Sequence, residues 1–260
     1  MNEVLVTNKL VKTFPLPLDD YRRQREKVTR QVVINSVSLS VREGDVFGIL
    51  GGHGSGKSIL LKLLSTLIKP NSGAISICGH DGQRAAKDAR ANLAYVAADM
   101  RPDSFLTPNQ LFDNYACLYG VDPQVAQQRK EDLFRRLGIA DFAKRKLCRC
   151  PKSILPLINV AICLTHDPRI ILLDDPTKTM DVIGIHSFAK FLQHLAQSGK
   201  TIILASCSAN LIQQTCNRVG MLVDGKMLLQ DRIEPILEET TLENKFIEIY
   251  QAAKGEYDYV

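Results

Sequence analysis

Residues 46–58 read Val-Phe-Gly-Ile-Leu-Gly-Gly-His-Gly-Ser-Gly-Lys-Ser, and a leucine-rich stretch follows from Ile59. Residues 51–58 match the pattern G-x-x-x-x-G-K-[S/T] in full, between an apolar run and a helix-forming one. Strand, glycine-rich loop and helix, in that order, are what a phosphate-binding P-loop requires. Glycines 51, 54 and 56 let successive backbone N–H groups turn inward on a polyphosphate, and the following helix N-terminus adds positive dipole. Lys57 then reaches the outer phosphates as a point charge, while the Ser58 hydroxyl is placed to ligate the Mg²⁺ that bridges them. The stretch predicts a site for a nucleoside triphosphate with Mg²⁺.

The rest of the composition is that of one large α/β domain, or a domain with a subdomain: 260 residues, 45% hydrophobic and 23% charged. Seven cysteines show no paired metal spacing, and Cys148-x-Cys150 is too close for a C-x-x-C knuckle. Several sit in apolar runs, as free thiols of a reducing cytosol do. No apolar run reaches the eighteen residues of a membrane span, and the N-terminus has no signal-peptide core. The expectation is a soluble cytoplasmic chain, peripheral to a membrane only through partners. Net charge is a modest +5, and the basic arm at 21–30 is diluted by Asp19, Asp20 and Glu26, with no aromatic ladder beside it. It reads as a solvated loop rather than a nucleic-acid surface.

Along the chain, strands are expected at 3–13, 32–41, 45–50, 74–78, 93–97, 170–173 and 201–205. A hairpin, 219–223 and 226–229, is expected about Asp224-Gly225. Helices are expected at 58–68, 109–119, 123–137, 153–164, 183–198 and 209–217. Apolar strands alternating with helices imply a parallel sheet covered on both faces. The apolar strand 170–173 ends in Asp174, an acid that such a site uses to hold Mg²⁺ directly or through water.

Together with Lys57-Ser58, these features make the chain resemble the ATP-binding subunit of ABC transporters over nearly its whole length. The likeness is carried by Val46–Gly51, Lys69-Pro70-Asn71-Ser72-Gly73, His166-Asp167-Pro168, Leu172-Leu173-Asp174-Asp175-Pro176-Thr177 and Asp224-Gly225-Lys226. Leu118-Tyr119-Gly120-Val121-Asp122 and Thr241-Leu242-Glu243 are similar to the exporter-type (ABC-2) branch. The resemblance implies a RecA-like P-loop core with a parallel sheet, an antiparallel β subdomain and an α-helical subdomain. On that plan residues 1–98 hold the β subdomain and P-loop core, 99–165 the helical subdomain, 166–235 the rest of the core, and 236–260 a C-terminal helical tail. It also implies a nucleotide-binding set of Phe14, Gly51, Gly52, His53, Gly54, Ser55, Gly56, Lys57, Ser58 and Ile59. Phe14 enters because the family puts an aromatic at the end of the first strand to stack on adenine. The implied metal residues are Ser58 and Asp174, and the implied partners are a membrane-spanning subunit and a second ATP-binding subunit.

The chain departs from that family at four chemical positions. The Leu-Ser-Gly-Gly-Gln signature, which holds the partner subunit's ATP, falls at Cys150-Pro151-Lys152-Ser153-Ile154, where Pro151 removes an N–H. The carboxylate that acts on water is normally Glu and here is Asp175, one methylene short. The switch His is replaced by Cys207, or by Ser206 if the register slips, and a neutral thiol replaces an imidazole poorly. The Gln that senses Mg²⁺ falls at Ala98, while Asp181 keeps the acid of the dimer-contacting loop. The expectation is retained ATP binding with slow or lost hydrolysis, Asp175 and Cys207 being the weakened catalytic positions. Three functions remain open: an energy-coupling exporter subunit, a non-catalytic nucleotide-binding subunit of a membrane assembly, and a soluble ABC protein acting on nucleic acid or cluster assembly. The single ATPase domain and the modest charge weigh against the third.

Overall fold

The computed structural model describes residues 2–16 and 30–254. The basic arm therefore lies outside the described residues except for Arg30. Strands β1 (Glu3–Pro15), β2 (Arg30–Arg42), β4 (Ser72–Ile77) and β5 (His80–Asp81) form an antiparallel sheet in the order β2-β1-β4-β5. A second sheet takes β3 (Val46–Leu50), β6 (Leu93–Val96), β7 (Ile170–Asp174), β8 (Thr201–Ser206), β9 (Arg218–Val223) and β10 (Lys226–Arg232) in the order β10-β9-β3-β8-β7-β6. It is parallel except for β10, which pairs antiparallel with β9 through the Asp224-Gly225 turn.

The central strands are apolar on both faces because both faces are covered. Ile171, Leu173, Ile202 and Leu204 point into one core, with residues of α5 (Leu155–Cys163) and α6 (Val182–Gln197). Their alternates Ile170, Leu172, Ile203 and Ala205 point into the other, where α1 (Lys57–Leu64) contributes Leu60, Leu61, Leu63 and Leu64 and the antiparallel sheet contributes Leu5, Leu10, Ile34 and Val37. Burying each of those leucines contributes roughly 2–3 kcal/mol, so α1 is held by its inner face although it has only eight residues. A third cluster joins Leu50 and Met221 to Ile212 of α7 (Ala209–Thr215), Ile233 and Ile236 of α8 (Ile233–Glu239) and Leu242 of α9 (Leu242–Lys254). Helices α3 (Pro108–Leu118), α4 (Pro123–Arg136) and α5 form the helical layer, opened by a capping box in which Thr107 and Gln110 satisfy each other's backbone N–H groups. The fold is the α/β arrangement expected, with a parallel-sheet core, an antiparallel sheet and a helical layer.

Boundaries differ where the chain turns early. Helix α1 ends at Leu64 rather than 68, since Ser65 caps it and Thr66 adopts a left-handed φ of 59°. The helix expected from 153 starts at Leu155, and two 3₁₀ turns, Ala140–Phe142 and Leu147–Arg149, interrupt the helical layer before it. Strand β5 and helix α2 (Ala86–Ala91) were not expected: two residues, and six in which alanines alternate with charged side chains, carry no apolar period.

Candidate functional site

Strand β3 delivers the loop 51–56 to the top of the parallel sheet, beside the ends of β7 and β8. Gly56 caps α1 with a φ of 101°, so the helix starts without a side-chain cap and with no acidic residue in its first turn. Its N–H groups are left for an anion. A Cβ at Gly56 would stand 2.9 Å from the Val33 carbonyl oxygen, which fixes glycine there by space as well as by conformation. The loop is pinned from behind: the Gly225 N–H donates to the Ser55 carbonyl at 2.9 Å, and the Gly225 carbonyl accepts from Asn35 N–H at 2.8 Å.

Lys57 is buried and folds back so that Nζ donates to the carbonyls of Gly51 at 2.7 Å and Gly52 at 3.0 Å. Its charge is thereby held at the mouth of the loop. Ser58 Oγ donates to Asp174 Oδ1 at 3.0 Å, bringing together two groups 116 residues apart. Tyr95 OH donates to the other oxygen, Oδ2, at 3.3 Å. Burial pushes the Asp174 carboxyl above the usual carboxylate range and the Asp175 charge adds to this, while the two hydroxyl donors oppose it. Hard oxygen donors beside a polyphosphate cradle suit Mg²⁺, which takes one or two protein oxygens and completes its shell with phosphate and water. Among the described residues there is no group of three or more His, Cys, Asp or Glu that could hold a metal by protein ligands alone. The donor set therefore fits a metal that arrives with nucleotide. The Ser55 hydroxyl, buried in the loop without a hydrogen-bond partner, is a polar atom consistent with that ligand.

These groups border a groove of 650 Å³ lined by Gln31, Val32, Val33, residues 53–59, Asp175 and Asp224. The volume is in the range of small-molecule sites. Of the residues expected to bind nucleotide, the structure brings His53, Gly54, Ser55, Gly56, Lys57, Ser58 and Ile59 to this groove. Gly51 and Gly52 enter through the carbonyls that hold Lys57. Phe14 stands one strand back: it pairs with Gln31, which does line the groove, and carries the Lys12 ammonium 5.2 Å from its ring centre. Val32, Val33 and Asp224 escaped the sequence reading because their place depends on how β2 meets the hairpin.

Asp175 lies in a left-handed turn with φ 42°, its N–H donating to the Ala205 carbonyl at 2.9 Å, and it lines the groove. Cys207 is an exposed thiol just past β8. Ser206 is buried and occupied locally, its hydroxyl accepting from Ser208 N–H at 3.1 Å, so Cys207 is the freer of the two candidates. Ala98 and Asp99 are exposed after β6. The segment 150–154 runs into α5 without a capping side chain and with a proline in the helix's first turn. Thr179 Oγ1 donates to the Lys152 carbonyl at 3.3 Å. Asp181 caps α6 by accepting from Gly184 N–H at 2.7 Å.

A second cleft, of 220 Å³, opens between β6, α3 and α5 and is lined by Arg90, Tyr95, Met100, Tyr115, Tyr119, Cys163 and His166, among others. Tyr119 stacks on His166, ring centres 4.0 Å apart.

The sequence relationships agree with this geometry. An ATP-binding protein named NatA, described as an ABC transporter component of Bacillus subtilis, is 28% identical over 227 residues, covering 87% of this chain and 92% of the relative. The Nod factor export ATP-binding protein I of Burkholderia orbicola is 27% identical, covering 89% of this chain and 76% of the relative. Among solved structures, a dimeric ATP-binding cassette in a post-hydrolysis state with ADP and Pi superposes with a TM-score of 0.75 at 21% identity, over 88% of this chain and 98% of that one. The family model described as ABC transporter matches residues 34–178, from β2 through the P-loop to just past Asp175. The chain belongs to the ABC transporter family and is an ATP-binding domain of it.

Proposed function

We propose that this chain is the ATP-binding subunit of an exporter-type transport complex that binds Mg-ATP, closes with a second ATP-binding subunit and hydrolyses slowly. The observation that carries the reading is the contrast between the groups placed to bind phosphate and metal and the groups that would act on water. The binding apparatus is complete, with Lys57 on the loop carbonyls and Ser58 on Asp174. The groups that would act on water are short or neutral: Asp175 and Cys207. Bound Mg²⁺ would bridge the outer phosphates and neutralise charge developing on them. Ser58 and Asp174 would hold it, Lys57 would leave its carbonyl partners for phosphate, and Asp175 would orient water from too far back. Pairing with a second subunit is supported by the dimeric cassette whose fold this chain shares, and by Asp181 at the entrance to α6.

The membrane-spanning partner is assigned to the face around the second cleft. Tyr119, 50% exposed, lines that cleft with Met100 and Tyr115, Leu118 next to it is 80% exposed, and Phe105, 70% exposed, precedes the other end of α3. Among the described residues no helix is long and apolar enough to cross a membrane. The chain would then sit at the inner face of a membrane, in the cytoplasm, through that partner. A second reading, a non-catalytic subunit in which ATP only shifts a two-state assembly, is favoured by the segment 150–154. With Pro151 and no cap on α5, it offers little to a partner's phosphates.

Equilibrium binding of a fluorescent ATP analogue tests the proposal. The wild type binds, Mg²⁺ tightens the complex, and Lys57→Ala abolishes it. Equal binding by Lys57→Ala would overturn it.

A further inference from the structure

The Asp174 carboxylate has two oxygens, and different parts of the molecule hold them. Oδ1 takes the Ser58 hydroxyl from α1, and Oδ2 takes the Tyr95 hydroxyl from β6. Tyr95 pairs with Leu172 across the sheet, two residues before Asp174, so its ring lies along the strand and its hydroxyl reaches the strand's end. The same side chain lines the second cleft with Met100, Tyr115, Tyr119, Cys163 and His166. One phenol thus touches both the acid of the candidate metal site and the wall of the partner-facing cleft. Ala98, three residues on, has no polar side chain with which to do either.

The phenol is suited to this task. A phenol carries its proton at physiological pH, so the hydroxyl is there to donate to the carboxylate. Asp174 is itself buried, so the loss of one donor leaves an oxygen unsatisfied and free to rotate away from Ser58.

We propose that Tyr95 is a positioning residue for the metal site: its hydroxyl fixes the Asp174 carboxylate so that Oδ1 is presented to Ser58 and Mg²⁺, and its ring couples that state to the partner-facing cleft. The inference rests on the nucleotide-binding reading of the groove. Groups that orient a metal-holding residue typically set metal affinity by about ten-fold or more. Tyr95 does so from the side on which a membrane partner would bear.

Tyr95→Phe deletes one oxygen and keeps the ring. ATP affinity in EDTA reports on the loop alone and should be unchanged in the variant; if the wild type fails to bind ATP with or without metal, it is the nucleotide-binding reading that falls. The affinity of the ATP complex for Mn²⁺, followed by electron paramagnetic resonance, should weaken by about ten-fold. Mn²⁺ affinity within two-fold of wild type, with ATP binding intact, overturns the positioning role. The chain contains no tryptophan, so Tyr119→Trp gives a lone reporter at the cleft rim. Its emission should change when Mg²⁺ is added to the ATP complex, and Tyr95→Phe should abolish the change. A metal-dependent change that survives Tyr95→Phe, or none in the Tyr119→Trp protein, overturns the coupling. Should Tyr95→Phe melt early, the comparison is repeated in Asp174→Asn. There the tyrosine substitution should no longer affect metal binding, and an undiminished effect would overturn the assignment of its action to Asp174.

Discussion

Gly225 does not line the groove, yet the site depends on it, and Gly225→Ala exposes that dependence. The residue has φ 72°, which costs an alanine about 1–2 kcal/mol. A Cβ there would stand 2.1 Å from the Val33 carbonyl oxygen and 2.8 Å from its carbon, and neither atom can rotate aside because both are backbone. To restore even a tight contact the turn must retreat from β2 by roughly an ångström, since packed cores accommodate little more than a methylene. That retreat breaks the bonds to Ser55 and Asn35, at 2.9 and 2.8 Å, worth about 1 kcal/mol each. The sum is about 3–4 kcal/mol, a fall in Tm of roughly 6–16 °C for a domain of this size. Ser55 moves with the turn, and losing one charge-assisted bond to phosphate weakens ATP by about ten-fold or more. Gly44→Ala is the control: its φ is 79° but nothing lies within 4 Å of the added Cβ, so only the conformational cost applies. Differential scanning calorimetry and ATP titration of both variants decide the matter. If Gly225→Ala melts no earlier than Gly44→Ala and binds ATP as wild type does, the claim that the hairpin braces the loop is wrong.

Asp175→Glu restores the missing methylene and should raise ATPase turnover; an unchanged rate would shift the limitation to Cys207 or to the segment 150–154. Leu118→Glu on the exposed patch should block assembly with a membrane partner while leaving ATP affinity intact, and normal co-purification would sink that surface. His166 has its imidazole pKa lowered, chiefly by burial, although its Nε2 bond to the Leu93 carbonyl works the other way. Below the unfolded value of about 6.5 the unfolded chain binds more protons, so stability is full above that pH and falls as acid carries the medium through the folded pKa. His166→Gln keeps a donor toward Leu93 and should flatten the decline in Tm between about pH 7 and 5.5. A decline as steep as that of the wild type would show that other groups carry it.

The P-loop, β3, β7 and the Asp174 position were legible because each is a local pattern: glycine spacing, a run of apolar residues, an acid at a strand's end. Groups brought together by pairing were not. Tyr95 lies 79 residues from Asp174, and only the β6–β7 register makes them neighbours. Val33 reaches the groove because the Asp224-Gly225 turn closes on β2, which the hairpin pattern alone could not say. Helix ends were misjudged where a left-handed residue overrode apolar periodicity, as at Thr66. The adenine contact expected of Phe14 stays a proposal: the ring is one strand from the groove wall, and Gln31 and Val32 stand closer.

The central claim, binding retained while hydrolysis is impaired, is tested most directly by single-turnover hydrolysis of radiolabelled ATP on protein in excess with Mg²⁺, alongside the equilibrium affinity of the same sample. The account predicts saturable ATP binding with phosphate release far slower than the 1–10³ per second typical of enzymes. Release within that range would contradict it, because Asp175 and Cys207 would then be sufficient catalysts.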